Sequence, residues 1–384
     1  NQAGVGGGLG TLVSGGAGSV TVEDSEITGN TSTSGTGGGA FAGLGTSLSL
    51  TNATVDGNHA PDNGGSGGGG LFALGSTVNI LASTISGNNA DDGGGGIAAE
   101  AFGTPASVTL SNSILAGNTD SGSTPPDEPD CLDVNNPTSG TQFHTLGYNI
   151  IGNNTGCGLH AATGDQLGTS VSPVDPKLGP LGFHGGPLLA ADTFALQAGS
   201  PAINAGDPSA SGACDPSNGV AFDARGVPRT VGKRCDIGAY ELAKCRGVLI
   251  DLVGTNQADD GTSAELTSSS AADGYLGLDG NDSQAGGGGN DGLCGGNGKD
   301  SLSGNGGDDA LDGGNGGDTL GGMAGNDKLS GRKGKDKLSG GSGKDHLSGG
   351  PGDDHLVGGP GKDVCVGGPG HDTATGCEVK HSIP

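Results

Sequence analysis

The stretch GGSGKDHLSGGPGDDHLVGGPGKDVCVGG, Gly340 to Gly368, returns an aspartate at every ninth residue: Asp345, Asp354 and Asp363. The register runs back through Asp336, Asp327, Asp318, Asp309, Asp300, Asp291 and Asp282 and forward to Asp372, eleven positions without a slip. Glycine stands two residues before each of them, from Gly280 to Gly370, and leucine two residues after from Leu293 to Leu356. Asp273 reads as a degenerate first member. A flexible Gly-Asp linker has no reason to keep leucine in step with aspartate. The period therefore describes a stacked structure, in which glycine permits turns with φ > 0, aspartate supplies anionic oxygen and leucine points inward.

The pattern is G-G-x-G-x-D-x-U-x, and it resembles the calcium-binding nonapeptide of RTX proteins. That resemblance implies a β-roll in which six residues turn and three form a strand. Two nonapeptides then complete one coil, and residues eighteen apart stack. Calcium takes six to eight oxygen ligands at about 2.3–2.6 Å, more than one turn supplies. Several Ca2+ ions are expected between turns on adjacent coils, with Asp282 sharing a site with Asp300 and Asp291 with Asp309. Without them like charges would stack at coil spacing, so folding and metal binding should be coupled. Lys299, Lys335, Lys344 and Lys362 stand just before an aspartate, where the family has Asn or Asp, and a nearby cation weakens an ion site. Asn305, Met323 and Arg332 replace the second glycine near Asp309, Asp327 and Asp336.

A second repeat lies nearer the amino terminus. SVTVEDSEITGN (19–30), SLSLTNATVDGN (47–58), TVNILASTISGN (77–88) and SVTLSNSILAGN (107–118) align without gaps, and their closing residues Asn30, Asn58, Asn88 and Asn118 are 28, 30 and 30 apart. Apolar residues alternate in each, as Val20 and Val22, Leu48 and Leu50, Val78 and Ile80, Val108 and Leu110, the period of a half-buried strand. One repeat offers one or two strands and a glycine turn, as in GGGA (37–40), GGGGL (67–71) and GGGGI (93–97). That is too little to bury its own face. Coils stacked at about 4.8 Å would align the apolar residues into ladders and bring the asparagines into an axial row. This role outweighs glycosylation at the Asn30 sequon; Asn52 lies in a second sequon. A looser fifth coil is expected to end at Asn153.

These repeats resemble right-handed parallel β-helix surface proteins such as the polymorphic outer membrane proteins. DPKLGPLGFHGG (175–186), SPAINAGD (200–207), DARGVPR (223–229) and CDIGAYE (235–241) resemble the choice-of-anchor Q domain. The resemblance implies a location at the cell surface, Cys131 paired with Cys157 and Cys214 with Cys235, and Asp223, Arg225 and Arg229 forming a structural clamp. Pro125, Pro126 and Pro129 mark a loop, and GVGGGLG (4–10), with no strand segment before it, reads as the middle of a coil.

Composition agrees with repeats. Of 384 residues 88 are glycine and only 31% are hydrophobic, against about 7% glycine in ordinary globular proteins. Net charge is −26, and no Lys or Arg precedes Lys177 whereas 15 Asp and Glu do. Such a surface does not neutralise phosphates, which excludes nucleic acid and anionic membrane as partners of that half. Eight cysteines without CxxC pairs read as disulfides of an exported chain, with 105 formal connectivities. Cys365, in the inward place of leucine, is expected to pair with Cys377, and Cys245 with Cys294. No run reaches the roughly 18 apolar residues of a membrane helix, and the opening at Asn1 reads as a mature or trimmed piece of an exported precursor.

Polysaccharide lyases, hydrolases and epimerases also use β-helices, and such chemistry needs a base and a cation at a uronate. No cation precedes Lys177, tryptophan is absent, and His59, His144, His160 and His184 form no motif. The outward row Thr21, Ser49, Asn79, Thr109 is too irregular for ice binding. The expectation is an all-β, elongated, non-enzymatic protein of the cell surface or extracellular space. It comprises β-helix coils (1–165), their disulfide-bonded final coils or cap (166–243), a linker (244–270), a calcium-binding β-roll (271–376) and a tail (377–384). Expected partners are calcium, further copies stacked head to tail, and extracellular polysaccharide or another surface. The alternative is a polysaccharide-modifying enzyme.

Overall fold

The computed structural model describes residues 2–3, 6–11, 17–62, 67–122, 130–134, 142–182, 191–208, 220–229, 234–250, 252–254 and 270–383. Its described residues contain strands, turns and bends and no helix. They divide into two compact units, one up to Glu241 and one from Leu242.

The first unit is a parallel β-helix. Ser19–Glu23, Ser47–Thr51, Thr77–Leu81, Ser107–Ser111 and Phe143–Gly147 pair in parallel as one wall. Glu26–Thr28, Thr54–Asp56, Thr84–Ser86, Ile114–Leu115, Ile150–Ile151 and Gln166–Leu167 pair as a second. The alternation read from sequence sets the register, Val20 against Leu48, Leu48 against Val78 and Val78 against Val108. Leu48, Leu50, Val78, Ile80, Val108 and Leu110 are buried on the inner face.

The glycine stretches do more than turn. They lead into a third parallel wall, Leu9–Thr11, Ala40–Ala42, Leu71–Leu74, Ile97–Glu100 and Cys131–Asp133. A Cβ on Gly39 would lie 2.8 Å from Asn58 Cγ, one on Gly70 3.1 Å from Asn88 Cγ and one on Gly96 2.8 Å from Asn118 Nδ2. Glycine is needed because a main-chain carbonyl of the next coil, 2.5–2.7 Å from the same Cβ positions, and the asparagine row together fill that space.

The row itself is continuous. Asn58 Oδ1 accepts the main-chain N–H and the side-chain amide of Asn30, both at 3.0 Å. Asn88 does the same for Asn58 and Asn118 for Asn88, at 2.8–3.1 Å. The amides of Asn58, Asn88 and Asn118 also reach a carbonyl of the preceding coil, Ile27, Val55 or Ile85. The next member is not Asn153 but Asp130, whose Oδ1 accepts from Asn118 N and Nδ2 at 3.2 and 2.9 Å. Asn153 donates its main-chain N–H to Asp130 Oδ2 instead.

Among the described residues, the stretch expected as final coils or cap adds Gln166–Leu167 to the second wall. Leu178–Gly182 and Thr193–Leu196 form an antiparallel hairpin, and the chain then runs back along earlier coils. Asn52 Nδ2 donates to the Phe222 carbonyl, Ala239 N–H to Thr84 Oγ1, and Asn112 Nδ2 to the Asp236 carbonyl. Arg225 Nε and Nη2 both reach Asp223 Oδ2, at 3.0 and 2.8 Å. Arg229 Nη2 reaches Asn52 Oδ1 at 2.8 Å and the Gly238 carbonyl at 2.7 Å.

The second unit is a parallel β-roll of two sheets. Leu252–Val253, Gly274–Leu276, Gly292–Gly298, Ala310–Gly316, Lys328–Lys333, His346–Ser348, Val364–Val366 and Val379–His381 form one. Ser283–Gly288, Ser301–Gly306, Thr319–Ala324, Lys337–Ser342, His355–Val357 and Thr373–Thr375 form the other. Leu293, Leu311, Leu329, Leu347 and Cys365 stack on one side, Leu302, Leu320, Leu338 and Leu356 on the other, and Tyr275 joins the same core. The stretch expected as a tail supplies the last strand of the larger sheet, with Lys380 opposite Cys365. Cys131–Cys157, Cys245–Cys294 and Cys365–Cys377 are bonded as expected. The Cys214–Cys235 pairing falls outside the described residues, as do His184 and the three loop prolines.

Candidate metal centre

The eleven aspartates form two rows, because residues eighteen apart stand one coil apart. Asp282, Asp300, Asp318, Asp336, Asp354 and Asp372 make one row, and Asp291, Asp309, Asp327, Asp345 and Asp363 the other. In each, the main-chain N–H of one aspartate donates to Oδ1 of the next at 2.8–3.0 Å. Asp282 meets Asp300 and Asp291 meets Asp309. Asp273 N–H donates to Asp291 Oδ1 at 2.8 Å, which makes it the first member of the second row.

Oδ1 is thereby used, and Oδ2 is not. From Asp291 to Asp372 every aspartate of the register is buried, and its Oδ2 has no hydrogen-bond partner. A buried, unsatisfied carboxylate oxygen is costly, so ten in series call for a partner of opposite charge. Backbone packing holds them there. A Cβ on the glycine five residues earlier, such as Gly304 before Asp309 or Gly331 before Asp336, would collide with Oδ2. From Gly298 to Gly370 the glycine two residues earlier lies on a Gly carbonyl of the preceding coil, with φ between 126° and 153° at all but Gly361.

Burial pushes the Asp309, Asp318, Asp327 and Asp354 carboxyls up to about 6. Neighbouring carboxylates one coil away, such as Asp291 and Asp327 for Asp309, push the same way, against a lowering by the accepted N–H. Asp291, Asp300, Asp336 and Asp345 are raised for the same first reason.

Among the described residues no three His, Cys, Asp or Glu side chains converge as an all-side-chain metal cage. The donor set that fits is the carboxylate row together with turn carbonyls, all oxygen. That suits a hard cation such as Ca2+ and not a thiolate- or imidazole-seeking metal. Bound there, the cation supplies positive charge to the rows.

Asn305, Met323 and Arg332 keep the turn despite replacing glycine, with φ of 69°, 75° and 73°. Two further sets of groups lie outside the register. Asp363 N–H donates to Glu378 Oε2 at 2.6 Å, so Glu378 closes the second row. It stands fifteen residues after Asp363, and a search in steps of nine or eighteen misses it. An outer row uses the residue before each aspartate: Asn281, Asn290, Asp308, Asn326 and Asp353 each accept the main-chain N–H one coil on, at 2.8–3.0 Å.

The RTX calcium-binding nonapeptide repeat family, a unit of four copies, matches residues 286–320, 312–347 and 339–374. The carboxy-terminal repeats are thus RTX calcium-binding nonapeptides. No curated protein and no solved structure matches the chain.

Proposed function

We propose that the chain is a structural or adhesive component of the cell surface or extracellular space whose roll is locked by several calcium ions held by the eleven aspartates. The observation that carries this reading is the series of buried carboxylate oxygens without hydrogen-bond partners from Asp291 to Asp372. The three disulfides suit an oxidising compartment. No helix among the described residues is long and apolar enough to cross a membrane.

Strand edges support assembly from copies of the chain. Among the described residues, Ser19–Glu23 and Glu26–Thr28 each pair on one side only, as do Thr373–Thr375 and Val379–His381. Such edges offer unpaired N–H and C=O groups to another chain and favour head-to-tail stacking. The absence of catalysis is part of the proposal. The most concentrated polar cluster, Asp223, Arg225, Arg229 and Glu241, is buried and committed to main-chain and side-chain bonds. His59 is tied to Asp91 at 2.9 Å, and an extracellular polysaccharide is proposed as a bound surface, not a substrate.

Calcium titration of the purified chain, followed by circular dichroism and light scattering together, tests this. A rise in β signal with a jump in particle size is expected. A rise without growth would remove the assembly and return attention to polysaccharide turnover; no response at all would remove the calcium reading.

A further inference from the structure

The roll is electrically lopsided along its coils. Setting aside the register aspartates, the stretch from Asp273 to Asn326 carries Asp273, Asp279, Asp308 and Asp312 against one cation, Lys299. The stretch from Asp327 to Asp363 carries Lys328, Arg332, Lys333, Lys335, Lys337, Lys344 and Lys362 against one acid, Asp353. Arg332 alone of these seven is balanced: its Nη2 meets Asp312 Oδ2 at 2.8 Å, and Arg246 Nε meets the same oxygen at 3.0 Å. Among the described residues no lysine of the roll lies within ion-pair distance of a carboxylate, and the six between Asp327 and Asp363 are exposed.

Register concentrates the effect. Lys335, Lys344 and Lys362 directly precede Asp336, Asp345 and Asp363, while Lys328 and Lys337 directly follow Asp327 and Asp336. In the first half the equivalent preceding places hold Asn281, Asn290, Lys299 and Asp308. The carboxylate and amides among them add negative or neutral oxygen beside the row. A lysine about 10 Å from a divalent ion costs roughly a few-fold in affinity even in water-like dielectric, and several act together.

We propose, on the basis of the calcium reading above, that the roll takes up calcium in two affinity classes. The tight class lies among Asp282, Asp291, Asp300 and Asp309. The class at Asp336, Asp345, Asp354 and Asp363 is weaker by about tenfold or more, and the lysines set the difference. The second half of the roll is therefore the part that responds to changes in calcium, while the first half stays loaded.

Calorimetric titration of the full chain with calcium chloride, at low and at molar salt, tests this. Two phases are expected at low salt. They should converge at molar salt, where the screening length falls to about 3 Å: the tight phase weakens as its attraction is screened, and the weak phase loses its repulsion. Replacing Lys333, Lys335, Lys337 and Lys344 together by Gln should tighten the weak phase about tenfold and leave the tight phase in place. Replacing the same four by Arg, which keeps the charge, should keep two phases. Equal melting of all three proteins in saturating calcium controls for folding. A single phase in the parent chain, or a split that survives in the Gln variant, overturns the proposal and leaves calcium binding standing; no heat of binding at all overturns both.

Discussion

The two units solve one problem with two functional groups. In each, a side-chain oxygen on one coil accepts the main-chain N–H of its neighbour, Asn58 Oδ1 from Asn30 in the helix and Asp300 Oδ1 from Asp282 in the roll. The second atom of the group sets the difference between them. In asparagine it is an amide that donates onward, so every coil satisfies the next and the row is complete as protein. In aspartate it is another acceptor, left without a donor from Asp291 to Asp372. The amide row is self-sufficient, and the carboxylate row is one that a cation would complete.

The largest consequence is the response to calcium removal. In scanning calorimetry with a chelator the transition of the roll should be lost at neutral pH while that of the helix unit stays where it is. Equal loss in both units would break the distinction between the rows.

Next in size is an exchange of groups. Asn88→Asp puts a carboxylate oxygen where Nδ2 now donates to Asn118 Oδ1 and the Val55 and Ser86 carbonyls. An unpaired buried charge facing three acceptors should cost the helix unit about 3–5 kcal/mol at neutral pH, read as a lower midpoint in urea. Asp318→Asn in the roll should act on the metal instead, lowering the number of calcium ions bound in a calorimetric titration.

The helix unit contains one such exchange already, at Asp130, and burial pushes its carboxyl up to about 6. A folded-state value above the ordinary one of about 3.9 means that its stabilising contribution is complete below about pH 4 and is lost as pH rises through about 6. The loss is on the order of 2–3 kcal/mol. Asp130→Asn removes that dependence but turns an amide toward the Asn153 N–H. The variant should therefore be less stable than the parent by about 1 kcal/mol at pH 4 and more stable at pH 7.5. Parallel stability curves across that range would show that Asp130 does not carry the charge.

Sequence exposes whatever repeats and conceals whatever ends a repeat. The nine-residue step and the inward apolar ladders of the helix were legible because each recurs with its partner, whereas the stacking of residues eighteen apart came from the resemblance to RTX nonapeptides, since a period of nine does not say how many repeats close a coil. Asp130 and Glu378 were not. Each terminates a row, so each sits at an interval the period does not contain, twelve residues after Asn118 and fifteen after Asp363. The third wall was hidden for another reason. Its glycines look like turns, and only the approach of the next coil's carbonyls and of Asn58, Asn88 and Asn118 to Gly39, Gly70 and Gly96 shows that they leave room for close packing. The backward run through residues 220–229 and 234–241 has no period at all. It rests on bonds to Asn52, Thr84 and Asn112, more than a hundred residues away.

The smallest effect concerns residues that hold left-handed backbone. The helix unit holds Asp24, Asn52, Ala82 and Asn112 there, at φ of 45° to 51°, and the side chains of the two asparagines find partners. The roll uses glycine at φ of 100° to 111°, except where Leu278, Asn305, Met323 and Arg332 intrude at 69° to 75°. Met323 is 53% exposed, so little packing offsets a left-handed cost of about 1–2 kcal/mol. Met323→Gly removes that cost but gives the unfolded chain more freedom, worth about 0.4–1 kcal/mol. The difference should stabilise the calcium-loaded roll by about 0.5–1 kcal/mol, read as a higher melting temperature in saturating calcium. Asn305→Gly should gain less, because asparagine tolerates this conformation. Equal gains at the two positions would mean that the side chain at this seat is immaterial and that the stacked carbonyls of neighbouring coils alone set its backbone.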